Sequence, residues 1–291
     1  MGRTGMGTLT TTRRAGAGAA RCRDDRALVA YEEIAGVYDA FTAGHDYERF
    51  LAVIERLANE LGLAGRDALD VACGTGKSFM PLLRRGYRVT ACDLSPAMVT
   101  RARRKCAGRA EVLVADMREL PELGRFDLVT CLDDSLNYLL TDGELAAAFR
   151  GIASSLRSGG VAVFDVNSLK TYRSAFADTL VLDQDGILFC WRGETSPEIG
   201  EGEQAMATLE VFTPRARGGW TRLCSRHVQR HHPRTTVARL CREGGLDLVS
   251  VWGQDPGARL DPDPAEERHT KLLYFARRKG VLCLVKPGRL K

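Results

Sequence analysis

Residues 68–76, Ala-Leu-Asp-Val-Ala-Cys-Gly-Thr-Gly, admit few folds. The apolar run suits one buried strand and is too short for a helix. It ends in two glycines a single residue apart, which close a strand into a tight turn. Three chemistries use such a turn. A phosphate-binding P-loop needs G-x-x-x-x-G-K-[ST]; Gly76-Lys77-Ser78 supplies its tail, but the first glycine would fall on Val71. A dinucleotide turn needs G-x-G-x-x-G, and its third glycine would be Phe79, whose ring is expected to obstruct the close helix–strand approach. The third is a nucleoside bound without a pyrophosphate. Asp70 stands just before the turn, where it would repel a pyrophosphate and attract an ammonium-bearing ligand. Asp93 lies 17 residues beyond Gly76, near the usual spacing for an acid that grips ribose hydroxyls. Asp116, after the third strand, suits an adenine amino group, and Met98 and Met117 offer polarizable surfaces to the ring.

The rest of the chain alternates around this turn. Between Tyr31 and Leu63, Phe50, Ile54, Leu57 and Leu61 recur at helical spacing and predict one or two helices. Strands at 68–73, 87–92, 111–115, 126–131 and 161–166 alternate with helices at 78–85, 95–104 and 141–156. Ser95-Pro96 reads as an N-cap followed by a first-turn proline, and Thr141 to Glu144 as a capping box. Beyond Asn167 the rhythm changes to antiparallel strands at 180–191, 204–212 and 220–229, a helix at 235–241, and strands at 246–252 and 271–276. The expected fold is α/β: a doubly wound, mostly parallel, seven-stranded, Rossmann-like sheet with N-terminal lid helices. Residues 168–232 form an antiparallel β insertion over the active site. One domain spans 29–280, between a disordered basic tail at 1–28 and a basic tail at 281–291.

LDVACGTG, then TACDLSPAM, VADMREL and FDLVTCLDDSLNYL, fall in order at four strand ends. In this the chain resembles the class I S-adenosylmethionine-dependent methyltransferases over about residues 31–280, in particular the small-molecule amino-sugar and glycine-type N-methyltransferases. The resemblance implies S-adenosyl-L-methionine as cofactor and S-adenosyl-L-homocysteine as product. It implies that Gly74 and Gly76 line the methionine portion, with Asp70 and Ala72 in the same turn. Asp93, beside Leu94 and Met98, would bind the ribose; Asp116 and Met117 would bind the adenine edge. Leu132 would offer backbone to the methionine amino group.

The acceptor side is read from five places. Tyr31-Glu-Glu-Ile-Ala-Gly-Val-Tyr38 and Asp46-Tyr47 resemble lid helices in which a tyrosine closes over the sulfonium. Tyr38 is assigned that catalytic role, with Tyr31 and Tyr47 as further substrate contacts. Asp133, Asp134 and Asn137 follow the fourth strand and Asn167 the fifth, at the carboxyl edge where open α/β sheets bind ligands. Asp133 departs from the apolar residue common in similar sequences and suits a cationic acceptor. In Arg226-His-Val-Gln-Arg-His231-His232, strand geometry puts His227, Gln229 and His231 on one face. No carboxylate stands at a recognised ligand spacing, so no metal is expected. His227 is the candidate general base, which a hydroxyl acceptor would need more than an amine or carbon would.

Charge and cysteines bound the partners. The net charge of +5 lies at the ends: +4 in residues 1–30 and +6 in 276–291, leaving −5 between them. That distribution argues against nucleic-acid wrapping. Nine scattered cysteines without a C-x-x-C indicate reduced thiols and a cytoplasmic setting, and no apolar run reaches a membrane span. The expected function is methyl transfer to an N, O or C nucleophile of a small molecule. The alternatives are an RNA or protein methyltransferase docked by the basic ends, and a catalytically silent cofactor-binding regulatory module. Monomer and homodimer are both compatible with the chain.

Overall fold

The computed structural model describes residues 26–280. The readings of 1–25 and 281–291 as tails lie outside it. The described residues open with helix α1 (Arg26–Ile34), which includes residues 26–28 of the stretch read as tail. Two further helices follow: the short α2 (Tyr38–Phe41), and α3 (Tyr47–Glu60), capped by the Asp46 carboxylate accepting from Arg49 N–H at 3.0 Å.

Strands β1 (Asp67–Val71), β2 (Arg88–Asp93), β3 (Ala110–Val114), β4 (Phe126–Cys131) and β5 (Leu156–Asn167) are parallel. Between them run α4 (Met80–Arg84), α5 (Pro96–Cys106) and α6 (Asp142–Ser155). Ser95 caps α5 with Pro96 in its first turn, and Thr141 with Glu144 closes the capping box of α6, as the local sequence dictates. The last described elements are α8 (Arg234–Glu243), β10 (Leu246–Asp255), β11 (Arg259–Asp261) and β12 (Lys271–Arg278). The sheet order is β11-β10-β12-β5-β4-β1-β2-β3, with β12 antiparallel between β5 and β10. Among the described residues it has eight strands rather than the expected seven, because the three-residue β11 adds an edge too short to show periodicity.

Helices cover both faces. Phe50, Ile54, Leu82 and Val99 pack on one, and Leu145, Phe149, Val237 and Leu240 on the other. The strand order reverses between β1 and β4, so their carboxyl ends diverge and open a crevice there.

A second, four-stranded antiparallel sheet has the order β6-β7-β8-β9, from β6 (Thr179–Gln184), β7 (Ile187–Gly193), β8 (Gln204–Pro214) and β9 (Trp220–Arg230). It follows a short helix, α7 (Leu169–Arg173). The single strand expected over 180–191 is a hairpin. Asp185 and Gly186 both have positive φ, 53° and 75°, and form the two-residue turn that Asp-Gly favours between apolar runs. Phe189, Leu209 and Val211 of this sheet pack against Ile34, Phe41 and Tyr38. The insertion therefore presses the N-terminal helices toward the crevice.

Candidate active site

The turn after β1 forms the floor of the cavity. Ala72 takes a left-handed φ of 57°, which is costly for a residue with a Cβ, and Gly74 takes 53°. A Cβ on Gly74 would lie 3.7 Å from the Tyr38 ring, so that ring rests directly on the turn. Gly76 serves a different purpose. A Cβ there would meet the Phe79 ring at 2.8 Å. Phe79, expected to obstruct close packing, is fully buried against Gly76 and fills the space itself. Gly76 thus backs the turn, while Ala72 and Gly74 line the cavity.

Asp93 ends β2 and ties two loops together. Its Oδ2 accepts from Gly74 N–H at 2.8 Å and its Oδ1 from Ser95 N–H at 2.9 Å. Burial pushes its carboxyl above the usual range, against those amides, and the side chain still borders the cavity beside Leu94. Asp116 and Met117 line the cavity after β3. The Arg118 guanidinium grips the Asp116 carboxylate, with Nη2 at 2.7 Å. Leu132 contributes after β4.

Asp70 and Met98 are corrections to the expected lining. Asp70 sits one residue inside β1, between β2 and β4, and is 1% exposed. It accepts from Ser78 Oγ at 2.5 Å and Thr130 Oγ1 at 2.6 Å, and burial pushes it up to about 7. It fastens the turn from within and does not line the cavity. Met98 is also buried, with its N–H donated to the Ser95 cap rather than its side chain offered to a ring.

The roof is latched by polar contacts that the sequence did not announce. Glu32 of α1 accepts from Ser95 Oγ and from Ala97 N–H at 3.2 Å. Asp39 of α2 accepts from Thr75 Oγ1 and pairs with Lys105 at 2.7 Å. Lys77, the residue that suggested a P-loop, donates instead to the Thr42 carbonyl at 2.6 Å.

Tyr31, Tyr38 and Tyr47 all line the cavity, joined by Tyr138 and Asp133. Asp133 and Asp134 are consecutive left-handed residues, with φ of 58° and 50°. Non-glycine residues held this way need strong external restraint. Asp165 provides it: its oxygens accept from Asp133 N–H at 3.0 Å and Asp134 N–H at 2.5 Å. Lys271, absent from the expected site, lies 2.7 Å from Asp134, 3.6 Å from Asp133 and 3.7 Å from Asp165. Burial pushes Asp165 up to about 6 despite that cation. Burial also acts on Asp133, but Lys271 and His45 overcome it and hold the carboxyl below its usual range. Tyr47 donates to Asp133 Oδ2 at 2.5 Å.

Asp134, Asn137 and Asn167 brace the site from outside the cavity. Asn137 Oδ1 accepts from Asn167 N–H and its Nδ2 donates to the Arg230 carbonyl, both at 2.9 Å. Asn167 Nδ2 donates to Gln229 Oε1, and Gln229 Nε2 donates to Asp134 at 2.6 Å. These bonds sew the turn after β4 to β9.

His227 is likewise behind the lining. Tyr31 donates to Tyr138 Oη at 3.0 Å, and Tyr138 Oη lies 2.8 Å from His227 Nδ1. His227 Nε2 lies 3.1 Å from Ser225 Oγ, which donates to the Ala30 carbonyl at 2.9 Å. With Ser225 donating onward, Nε2 carries the proton and Nδ1 accepts from Tyr138. Burial pushes the imidazole down to about 4, so it is neutral and already hydrogen-bonded on both sides. The candidate general base thus stands behind the cavity lining, with both ring nitrogens already engaged. His227→Ala is expected to leave the shape of the pH–rate profile between about pH 6 and 9 unchanged while lowering stability by about 1–3 kcal/mol through its orphaned partners. The depressed pKa also means that the unfolded chain binds the proton first. Wild-type stability therefore falls as pH drops from about 6.5 toward 4, and the variant loses that component. Denaturant melts across that range and pH-dependent turnover check both outcomes. Loss in the variant of an acid-side limb, where the rate falls as a general base takes up its proton, would restore the base.

Fold and motif order define a class: a Rossmann-like transferase domain whose first turn lacks a phosphate cradle. Residues 68–160 match the family of methyltransferase domains. A provisionally named methyltransferase of Bacillus subtilis (strain 168), YqeM, is 34% identical over 254 residues, covering 86% of this chain and 97% of that protein. An S-adenosylmethionine-dependent methyltransferase from Clostridium acetobutylicum ATCC 824 shares the fold with a TM-score of 0.73 and 24% identity, over 86% of this chain and 99% of that one. The sugar N-methyltransferase KedS8 from Streptoalloteichus sp ATCC 53650 gives a TM-score of 0.66 and 25% identity, over 94% of this chain and all of that one. The chain belongs to the class I S-adenosylmethionine-dependent methyltransferases. The cavity fits that cofactor in chemistry: carboxylates Asp93 and Asp116 with apolar Leu94 and Met117, while the bordering cations Lys77 and Arg118 are turned to Thr42 and Asp116.

Proposed function

We propose that this enzyme methylates an amine nitrogen of a small molecule presented beside Asp133. The observation that carries this is an ionised carboxylate, fixed in left-handed backbone, at the end of the cofactor cavity roofed by Tyr38 and Tyr47. The N-methyltransferase KedS8, similar over nearly the whole chain, supports the same chemistry. When bound, S-adenosylmethionine supplies an electrophilic methyl on a sulfonium. The nitrogen lone pair forms the new N–C bond as the C–S bond breaks, and the positive charge ends on nitrogen. Asp133 faces that arriving charge and stabilises it more in the transition state than in the neutral amine. Tyr47, donating to Asp133, holds the carboxylate's direction. The product ammonium releases its proton to water, so no buried base is required, in keeping with a neutral His227. Asp93 and Asp116 hold the nucleoside, with Gly74 and Ala72 giving the methionine portion close access to backbone.

Tyr38 is the residue proposed to act at the methyl group. Its ring rests on Gly74, and its hydroxyl has no partner among the described residues. Tyr38→Phe is expected to lower kcat by about 10- to 100-fold, somewhat less than loss of one preorganised donor from an oxyanion hole. Its affinity for S-adenosylhomocysteine should stay within about twofold, because ring packing survives. Unchanged turnover would reduce Tyr38 to packing. The reading as a whole is tested by S-adenosylhomocysteine release with matched primary amines and alcohols. Turnover of the alcohols alone would overturn it.

A further inference from the structure

A second cavity adjoins the first at the carboxyl edge of the sheet. It lies between the α2–α3 loop (Gly44, His45, Asp46), the turn from β10 to β11, and the start of β12. Tyr47 and Asp133 line both cavities, so one hydrogen-bonded pair of side chains is the partition between them. The strained backbone at 133 and 134 therefore aims a carboxylate at the junction of two spaces.

The walls of the second cavity favour one kind of ligand. Asp46, Asp133 and Asp255 carry negative charge around it, and Lys271 is the cation that lines it. That cation is already engaged, nearest to Asp134 at 2.7 Å. Asp165 uses its oxygens on the amides of residues 133 and 134. Gln254, also in the wall, has a buried Oε1 with no hydrogen-bond partner. The polar side of the cavity thus consists mainly of acceptors, while Phe50, Pro256 and Ala258 supply apolar surface between them. Such a surface complements N–H donors at the ends of a short aliphatic stretch.

We propose that this second cavity is the acceptor pocket, and that the acceptor is a small diamine or similarly dicationic molecule, one nitrogen at Asp133 and the other toward Asp255 and Asp46. The inference rests on the reading of the first cavity as the cofactor's and of Asp133 as the amine's partner. It places the acceptor beside the β10–β11 turn, away from the antiparallel insertion.

The test uses three probes of matched length: 1,4-diaminobutane, butane-1,4-diol and succinate. Each is added to the full chain with S-adenosylhomocysteine and read by saturation-transfer NMR. The diamine should give a saturable signal, the diol one at least about fivefold weaker, and succinate none. Gly44→Phe supplies a plug, since Gly44 lines the cavity and a Cβ there meets nothing within 4 Å. It should cut the diamine signal at least about fivefold while calorimetric affinity for S-adenosylhomocysteine changes less than about twofold. Equal signals from all three probes, or a diamine signal indifferent to the plug, would overturn the proposal while leaving the cofactor cavity intact. Failure of the wild type to bind S-adenosylhomocysteine would remove the cofactor reading and this inference with it.

Discussion

Asp93→Ala is expected to abolish measurable binding of S-adenosylhomocysteine, with Kd rising on the order of 100-fold or more. Hydrogen bonds to a charged acceptor are worth about 1.5–3 kcal/mol each, and a ribose diol makes two. The alanine also removes the anchor of the turn, because Asp93 accepts from Gly74 N–H and Ser95 N–H at once. The first loss falls on the ligand-bound state alone, whereas the second already loosens the turn in the free protein. Asp93→Asn separates them: one amide oxygen can still hold a backbone N–H, so a loss of about tenfold is expected. Calorimetry gives the affinities, and circular dichroism checks that the sheet persists. An unchanged Kd in Asp93→Ala would mean that the nucleoside is held elsewhere.

Lys271→Met is expected to cost about 3–5 kcal/mol of stability at neutral pH, the usual result of removing one partner from a buried charge group. Three carboxylates converge on this ammonium, and one of them, Asp165, is completely buried. Methionine fills similar volume, so the loss is electrostatic rather than a cavity effect. Its pH dependence identifies it. Without the ammonium, Asp165, which burial already pushes up to about 6, rises further, and Asp133 loses the main charge that holds it down against its burial. The folded variant then binds more protons than the unfolded chain, so its stability falls as pH rises above the unfolded values of about 4. The deficit should be largest near pH 8 and shrink toward pH 5. In the wild type, Lys271 itself is held protonated above its ordinary range by Asp134, Asp165 and Asp133, against its burial. Its contribution is therefore present below about pH 10 and lost only above it. Urea melts at pH 5 and pH 8 measure the difference, and a deficit independent of pH would show that packing, not charge, was lost.

Asp70 and Asp93 show how far the sequence reaches. Both are acids at the ends of apolar runs, and local sequence points both at a bound ligand. Asp93 is the last residue of β2 and faces the cavity, whereas Asp70 lies one residue inside β1, paired with Ala91 on one side and Thr130 on the other. A one-residue difference in depth separates a carboxylate that borders the cavity from an enclosed one. His227 repeats the case, since its strand and face were legible but the Tyr138 and Ser225 groups on its two nitrogens were not. The Asp185-Gly186 turn carries a local hairpin signal between two apolar runs, which the strand pairing realises.

The sequence by itself determined the alternation of strands and helices, the caps at Ser95 and Thr141, the glycine turn and the family. Strand period, capping and turn formation depend on residues within about one turn or a few positions of each other. The tertiary structure alone decided which side chains meet at the cavity. Lys271 reaches the carboxylates after β4 because β12 pairs with β5 in a register that sets Lys271 opposite Asn167. The roof closes because a distant sheet presses α1 and α2 onto the turn. Register and packing join residues far apart in the chain, and a local stretch of sequence carries no record of its remote partners.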